Sequence, residues 1–171
     1  SGKTRTITYR IAHLINQGIE PHKILAVTFT NKAASEMRER VNQLLIENSN
    51  FNKPTEMEGR PMIRTFHALG VYILRQCYKE VGLPKNFSIL DRADSKKIVR
   101  DALKQEGYDP KEHDPNKILG TISRAKGDML TPEEYKEKDS NPYRSEMVAR
   151  VWKIYDKKVR ENKSLDFDDL L

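Results

Sequence analysis

Six residues, Ile24-Leu25-Ala26-Val27-Thr28-Phe29, form an almost unbroken apolar run between two stretches of helical periodicity. Such a run suits a short strand buried on both faces, so a fold for this chain must cover that strand with helices. Before it, Ile7, Ile11, Leu14 and Ile15 share one helical face that Gly18 ends. After it, Thr30 or Asn31 can cap a helix in which Ala34, Met37, Val41 and Leu44 recur at steps of three and four. A polar stretch over 46–60 reads as a loop, and Pro61-Met62-Ile63-Arg64-Thr65 as a second strand. A helix through Leu69, Ile73 and Cys77 follows, ending near Gly82. This alternation predicts an α/β fold with a mostly parallel sheet.

Past residue 84 the strand signals stop, apart from Phe87-Ser88-Ile89-Leu90. One helix is bounded by Asp91 or Asp94 and Gly107, with Ile98, Ala102 and Leu103 inward. Another follows Asp114-Pro115, turns Ile118, Leu119 and Ile122 inward and stops at Gly127. Thr131-Pro132-Glu133-Glu134 has the residues of a capping box. A long helix over about 143–162 places Val148, Trp152, Tyr155 and Val159 on one face. The second half is therefore expected to be all-helical until Asp166-Phe167-Asp168-Asp169, where acidic residues suit a new helix start and read as structural rather than metal-binding.

Of the 171 residues, 37% are hydrophobic and 33% charged, a low apolar share whose periodic arrangement nevertheless supports a modest core. No apolar run reaches the ~18 to 20 residues of a membrane-spanning helix. A single Cys77 forms no internal disulfide and no signal segment opens the chain, which points to a cytoplasmic setting. The net charge of +6 resides in residues 1–90, with 13 Lys+Arg against 7 Asp+Glu, while residues 91–171 carry 18 of each. A polyanionic partner is expected to meet the first half.

Three segments carry candidate chemistry. Ser1-Gly2-Lys3-Thr4, running straight into a helix, has the form of the second half of a phosphate-binding loop. Free N–H groups and the positive end of the helix dipole favour an anion there, with Lys3 reaching phosphates and the Thr4 hydroxyl ligating Mg²⁺. At the carboxyl end of the first strand, Phe29, Thr30 and Asn31 lie where open α/β sheets bind ligands. Periodicity alone puts Phe29 in the core and makes Thr30 a cap; an exposed Phe29 would instead stack a nucleic-acid base. Thr65-Phe66-His67 stands at the second strand-to-helix junction, where His67 can meet a phosphate or a base. His67 has neither a Cys nor a second His at ligand spacing, and His13, His22 and His113 are scattered, so zinc is not expected.

Together these segments resemble the amino-terminal part of UvrD/Rep/PcrA-like superfamily 1 DNA helicases. The collinear matches are Gly2-Lys3-Thr4-Arg5, Val27 to Ala34 with Glu36-Met37-Arg38, Thr65-Phe66-His67, Ile122 to Lys126 before Thr131-Pro132-Glu133, and Leu165 to Leu170. The resemblance implies a partial P-loop (RecA-like) ATPase core over 1–83, an inserted helical subdomain over 84–163 and a return to the core over 164–171. It implies ATP and Mg²⁺ at Ser1, Gly2, Lys3, Thr4 and Arg5, with Arg5 against the adenine. It also implies single-stranded DNA at Phe29, Thr30, Asn31, Thr65 and His67, duplex DNA against the insertion, and 3′ to 5′ stepping. The family's opening glycines, its Asp-Glu pair and its second motor domain have no counterpart here, so this piece alone is expected neither to hydrolyse ATP nor to unwind DNA. A small-molecule P-loop kinase or a non-catalytic DNA-binding P-loop domain are the alternative readings; DNA-stimulated ATPase activity separates them from a helicase.

Overall fold

The computed structural model describes residues 2–47 and 59–170. Ser1, Leu171 and most of the expected polar loop lie outside these residues. The fold is mixed α/β, mostly helical, with two small parallel sheets. Two compact units divide the chain, 1–73 and 74–171.

The first unit contains α1 (Gly2–Asn16), β1 (Leu25–Thr28), α2 (Asn31–Glu47), β2 (Met62–Thr65) and most of α3 (Phe66–Gln76). The strands β1 and β2 pair in parallel, with Leu25 opposite Met62 and Thr28 opposite Thr65. Ile11 and Ile15 of α1, Ala34, Met37 and Val41 of α2, and Ile63 of β2 form the core, with Val41 wholly enclosed. Each of the isoleucine, valine and methionine side chains contributes about 1.5 to 3 kcal/mol by leaving water. Gly18 ends the first helical run at φ +88°, a conformation open to glycine, while the Ile19 N–H donates back to the Leu14 carbonyl. No residue of α3 is fully buried and Ile73 is half exposed, although periodicity assigns it an apolar face. Regular helix in α3 stops at Gln76, ahead of the expected end. The turns that follow close at Gly82, also at positive φ, where the Leu83 N–H bonds to the Tyr78 carbonyl.

The second unit packs α4 (Arg92–Gln105), α5 (Pro115–Gly127), α6 (Pro132–Lys138) and α7 (Pro142–Glu161) around Trp152, Tyr155, Val148, Val99 and Leu103. The expected caps form. Asp91 accepts from the Asp94 N–H at 2.8 Å and Asp114 from the Asn116 N–H at 2.9 Å. Thr131 and Glu134 exchange side-chain and backbone hydrogen bonds as a full capping box. Two-residue strands β3 (Ser88–Ile89) and β4 (Ser164–Leu165) pair in parallel and bring the beginning and end of the helical array together.

Met129 occupies the left-handed position that ends α5, with φ 57° and an 89% exposed side chain. An L-residue there costs ~1 to 2 kcal/mol, of which glycine's greater unfolded freedom would take back ~0.5 to 1. Met129→Gly is therefore expected to stabilise the second unit by about 0.5 to 1 kcal/mol. Urea unfolding followed by Trp152 fluorescence checks this, and a loss of stability would contradict it.

Candidate functional site

Parallel pairing in register ends β1 and β2 side by side, and each strand passes directly into a helix. Phe29 follows Thr28 on one, Phe66 follows Thr65 on the other. Their ring centroids stand 5.3 Å apart with planes inclined by 45°. Phe29 is 87% exposed, which overturns the core position that periodicity alone assigns it. The reason is geometric. An apolar run continues the strand pattern through residue 29, but the sheet ends at Thr28 and the chain turns away into α2.

The cap role of Thr30 holds, because its hydroxyl accepts from the Ala33 N–H at 3.1 Å. Thr65 makes the matching contact with the Ala68 N–H at 3.2 Å. These caps shape two helix starts that contain no acidic side chain in their first turns. Each carries the positive end of a helix dipole, which favours an anion. Asn31 is exposed as the first residue of α2, and His67 is half-buried in the first turn of α3. The structure thus gathers Phe29, Thr30, Asn31, Thr65 and His67 at one sheet end. Phe66 joins them, and the repeated Thr-Phe pair at matching strand ends is the sequence signal that marks it. The Arg38 guanidinium donates to the Ile63 carbonyl at 2.9 Å, tying α2 to β2 behind this edge.

Gly2, Lys3 and Thr4 form the first turn of α1, which likewise lacks an acidic residue. Lys3 is exposed and Thr4 half-buried. The Arg5 guanidinium lies 5.5 Å from the centroid of the Tyr9 ring, one helical turn on. This donor set, a cation, a hydroxyl and a helix start without acids, fits a polyphosphate and a hard cation. Ser1 lies outside the described residues.

A second cluster, absent from the sequence reading, lies in the helical unit. Lys126 of α5 contacts Asp166 at 2.7 Å, Asp169 at 2.8 Å and Asp156 of α7 at 3.6 Å. The Tyr155 hydroxyl donates to Asp166 at 2.8 Å, and Asp166 and Asp169 each accept the other's backbone N–H. Ser123 donates to Asp168 at 2.9 Å. Burial pushes the Lys126 ammonium down, but the charge of Asp166 and hydrogen bonds to Asp166 and Asp169 more than offset it and hold the group protonated. Burial likewise raises the Asp166 carboxyl, and Lys126 with the Tyr155 and Asp169 donors brings it below the ordinary carboxylate range. At Asp156 burial prevails over Lys126 and the carboxyl is raised. The structural reading of the acidic run therefore stands, with Lys126 at the place a bound cation would take.

A family model described as the UvrD/REP helicase N-terminal domain matches residues 1–171. The chain is 45% identical over 172 residues to the ATP-dependent DNA helicase PcrA of Bacillus subtilis (strain 168). It is 41% identical to the protein of the same name from Staphylococcus epidermidis, and 40% identical to that from Staphylococcus aureus. In each case the match covers 100% of this chain and 22% of the relative's length.

Proposed function

Because the chain belongs to the family of UvrD/REP helicase N-terminal domains, we propose that it serves as the first part of an ATP-dependent DNA helicase that moves 3′ to 5′. In this reading residues 1–83 and 164–171 belong to a RecA-like ATPase core, and 84–163 are a helical insertion. The second motor domain lies elsewhere in the complete protein, which works in the cytoplasm. Duplex DNA meets the insertion.

The observation that carries the proposal is the exposed Phe29 ring beside Phe66, flanked by two acid-free helix starts. Stacking of bases on aromatic rings with phosphates held by free N–H groups is the chemistry of single-strand binding without sequence preference. Phe29 stacks a base, while Thr30, Asn31 and His67 line the path of the backbone; Thr65 is buried and supports it from behind by capping α3. Lys3 neutralises terminal phosphate charge, Thr4 offers its hydroxyl to Mg²⁺, and Arg5, steadied by Tyr9, lies against the adenine. Bound ATP and Mg²⁺ supply the anhydride bond and the charge neutralisation for its cleavage. Phosphoryl transfer requires every positioning group at once, so residues 1–171 alone are expected to show no appreciable turnover.

ATP hydrolysis by the complete protein, measured with and without single-stranded DNA, tests this reading. Strong stimulation by DNA supports it; hydrolysis indifferent to DNA, or none, would sink it. A narrower test is Phe29→Ala in the same protein, which is expected to weaken single-strand affinity by about 1 to 3 kcal/mol. Because the ring is exposed, the melting temperature should hold. A variant that unfolds early but binds DNA normally would return Phe29 to a packing role.

A further inference from the structure

In the helical unit, α5, α6 and the first turn of α7 enclose a cleft of about 320 Å³ whose floor includes the apolar Ala125 and Leu130. Arg124, Lys138 and Arg144 stand around it. Arg124 and Lys138 lie in last turns, where a helix dipole favours a cation, but Arg144 lies in a first turn, where it does not. None of the three makes an ion pair among the described residues, whereas Lys136, Arg150, Lys153 and Lys157 of α6 and α7 all do. The Arg144 guanidinium donates to the Thr121 hydroxyl at 3.3 Å, which steadies the fork and uses one of its five donors. Of the acids at the cleft, Asp139 is already engaged by the Tyr135 hydroxyl at 2.6 Å and the Asn141 N–H at 3.0 Å. Asp128 is the one acid left to face three cations. Two large side chains adjoin the same cleft. Met129, between the lining residues Asp128 and Leu130, is almost wholly exposed on a left-handed backbone that glycine would adopt at less cost. Tyr143, next to Arg144, is 67% exposed. Packing explains neither, and a strained residue that keeps a large exposed side chain points to a use for that side chain.

We propose that this cleft docks a short segment of a partner protein in which carboxylates neighbour apolar side chains. Charge complementarity selects the occupant. Its carboxylates pair with the planar forks of Arg124 and Arg144, while Met129 and Tyr143 cover the apolar side chains beside them. Arg, Met and Tyr are residues that protein interfaces favour, and the flexible Met side chain adapts to the segment it meets. Nucleic acid fits less well. An unbroken phosphate backbone would meet Asp128 and Asp139 along with the cations, and a cleft of this volume admits side chains but no duplex. The inference goes beyond the helicase reading and uses none of the residues assigned to nucleotide or single-stranded DNA.

The test selects displayed random heptapeptides on the complete protein and remeasures the enriched peptides by fluorescence anisotropy. Enriched peptides are expected to join aspartate or glutamate to apolar residues. Arg124→Gln with Arg144→Gln should weaken their binding about tenfold or more, and Met129→Gly about fivefold. Because Met129→Gly relieves the left-handed backbone, its loss of affinity would not reflect unfolding. Lys153→Gln with Lys157→Gln removes paired cations, and this control should stay within about twofold of the parent. Should the double arginine change prevent folding, each single change is expected to weaken binding about threefold. No enrichment of acidic peptides, peptides that bind every variant equally, or an equal loss in the lysine control overturns the proposal. Blunt duplex DNA that displaces the peptide from the parent, and binds the arginine variant correspondingly less, assigns the cleft to DNA and overturns it too. ATP hydrolysis indifferent to single-stranded DNA, with the peptide result intact, would instead remove the helicase reading and leave this surface standing.

Discussion

Lys3→Ala in the complete protein is expected to lower DNA-stimulated ATP turnover by about 10² to 10³, the usual consequence of deleting one charge-stabilising donor. The expectation follows from where the side chain stands. Lys3 is exposed in the first turn of α1, so its removal takes away a cation without opening a cavity. Alanine is the best helix former, and α1 keeps its apolar anchor through Ile11 and Ile15. Single-strand affinity should be largely preserved, since the proposed DNA residues lie on other elements. Steady-state hydrolysis and a separate DNA titration provide the check. Undiminished turnover would remove Lys3 from the nucleotide site, and a parallel loss of DNA affinity would reassign it to DNA.

Lys126→Leu is expected to destabilise the helical unit by about 3 to 5 kcal/mol, because it strands carboxylates that burial already disfavours. Asp166 is only 6% exposed at its side chain and Lys126 14%, so solvent does little to screen the loss. Pairing the change with Asp166→Asn should restore part of the stability, as the remaining group is then neutral. Trp152, the single tryptophan and almost fully buried, reports the transition. The pH dependence has a definite sign. With its carboxyl held below the ordinary range, Asp166 contributes stability above about pH 4 that is lost as the pH falls through its folded value. In Lys126→Leu the cation is gone, burial raises the Asp166 carboxyl, and protonation relieves the variant. The deficit against the parent should therefore shrink on acidification. A deficit independent of pH would mean that Lys126 acts by packing.

Local signals proved most legible. Asp91, Asp114 and the Thr131–Glu134 box lie within a few residues of the groups they cap, so their geometry is set by adjacent sequence. The helical faces of α2, α5 and α7 were equally readable, and the apolar run marks β1, but the expected burial on both faces fails: no residue of the strand is fully buried and Leu25 is half exposed. What escaped depends on contacts remote in the chain. Strand β4 has only two residues, Ser164 and Leu165, with no periodicity, and exists because Ser88 and Ile89 lie beside it. Lys126 and Asp166 are 40 positions apart, and nothing near either announces the other. At the candidate site the residue types were visible, but the exposure of Phe29 and its meeting with Phe66 follow from where the strands stop.

The pairing of Ser88–Ile89 with Ser164–Leu165 has a topological consequence. Strands joined in this way lie about 5 Å apart, so everything between them leaves and re-enters at nearly one point. Such an excursion can be lengthened by genetic change with little movement of the chain on either side, provided Lys126 and Tyr155 still reach Asp166 and Asp169. Because the strands are parallel, a tight hairpin cannot serve, and the lengthened chain must run back along the pair before it rejoins. Tension applied to the two flanks would load this short ladder together with the Lys126 and Tyr155 contacts that hold Asp166 and Asp169 just beyond β4.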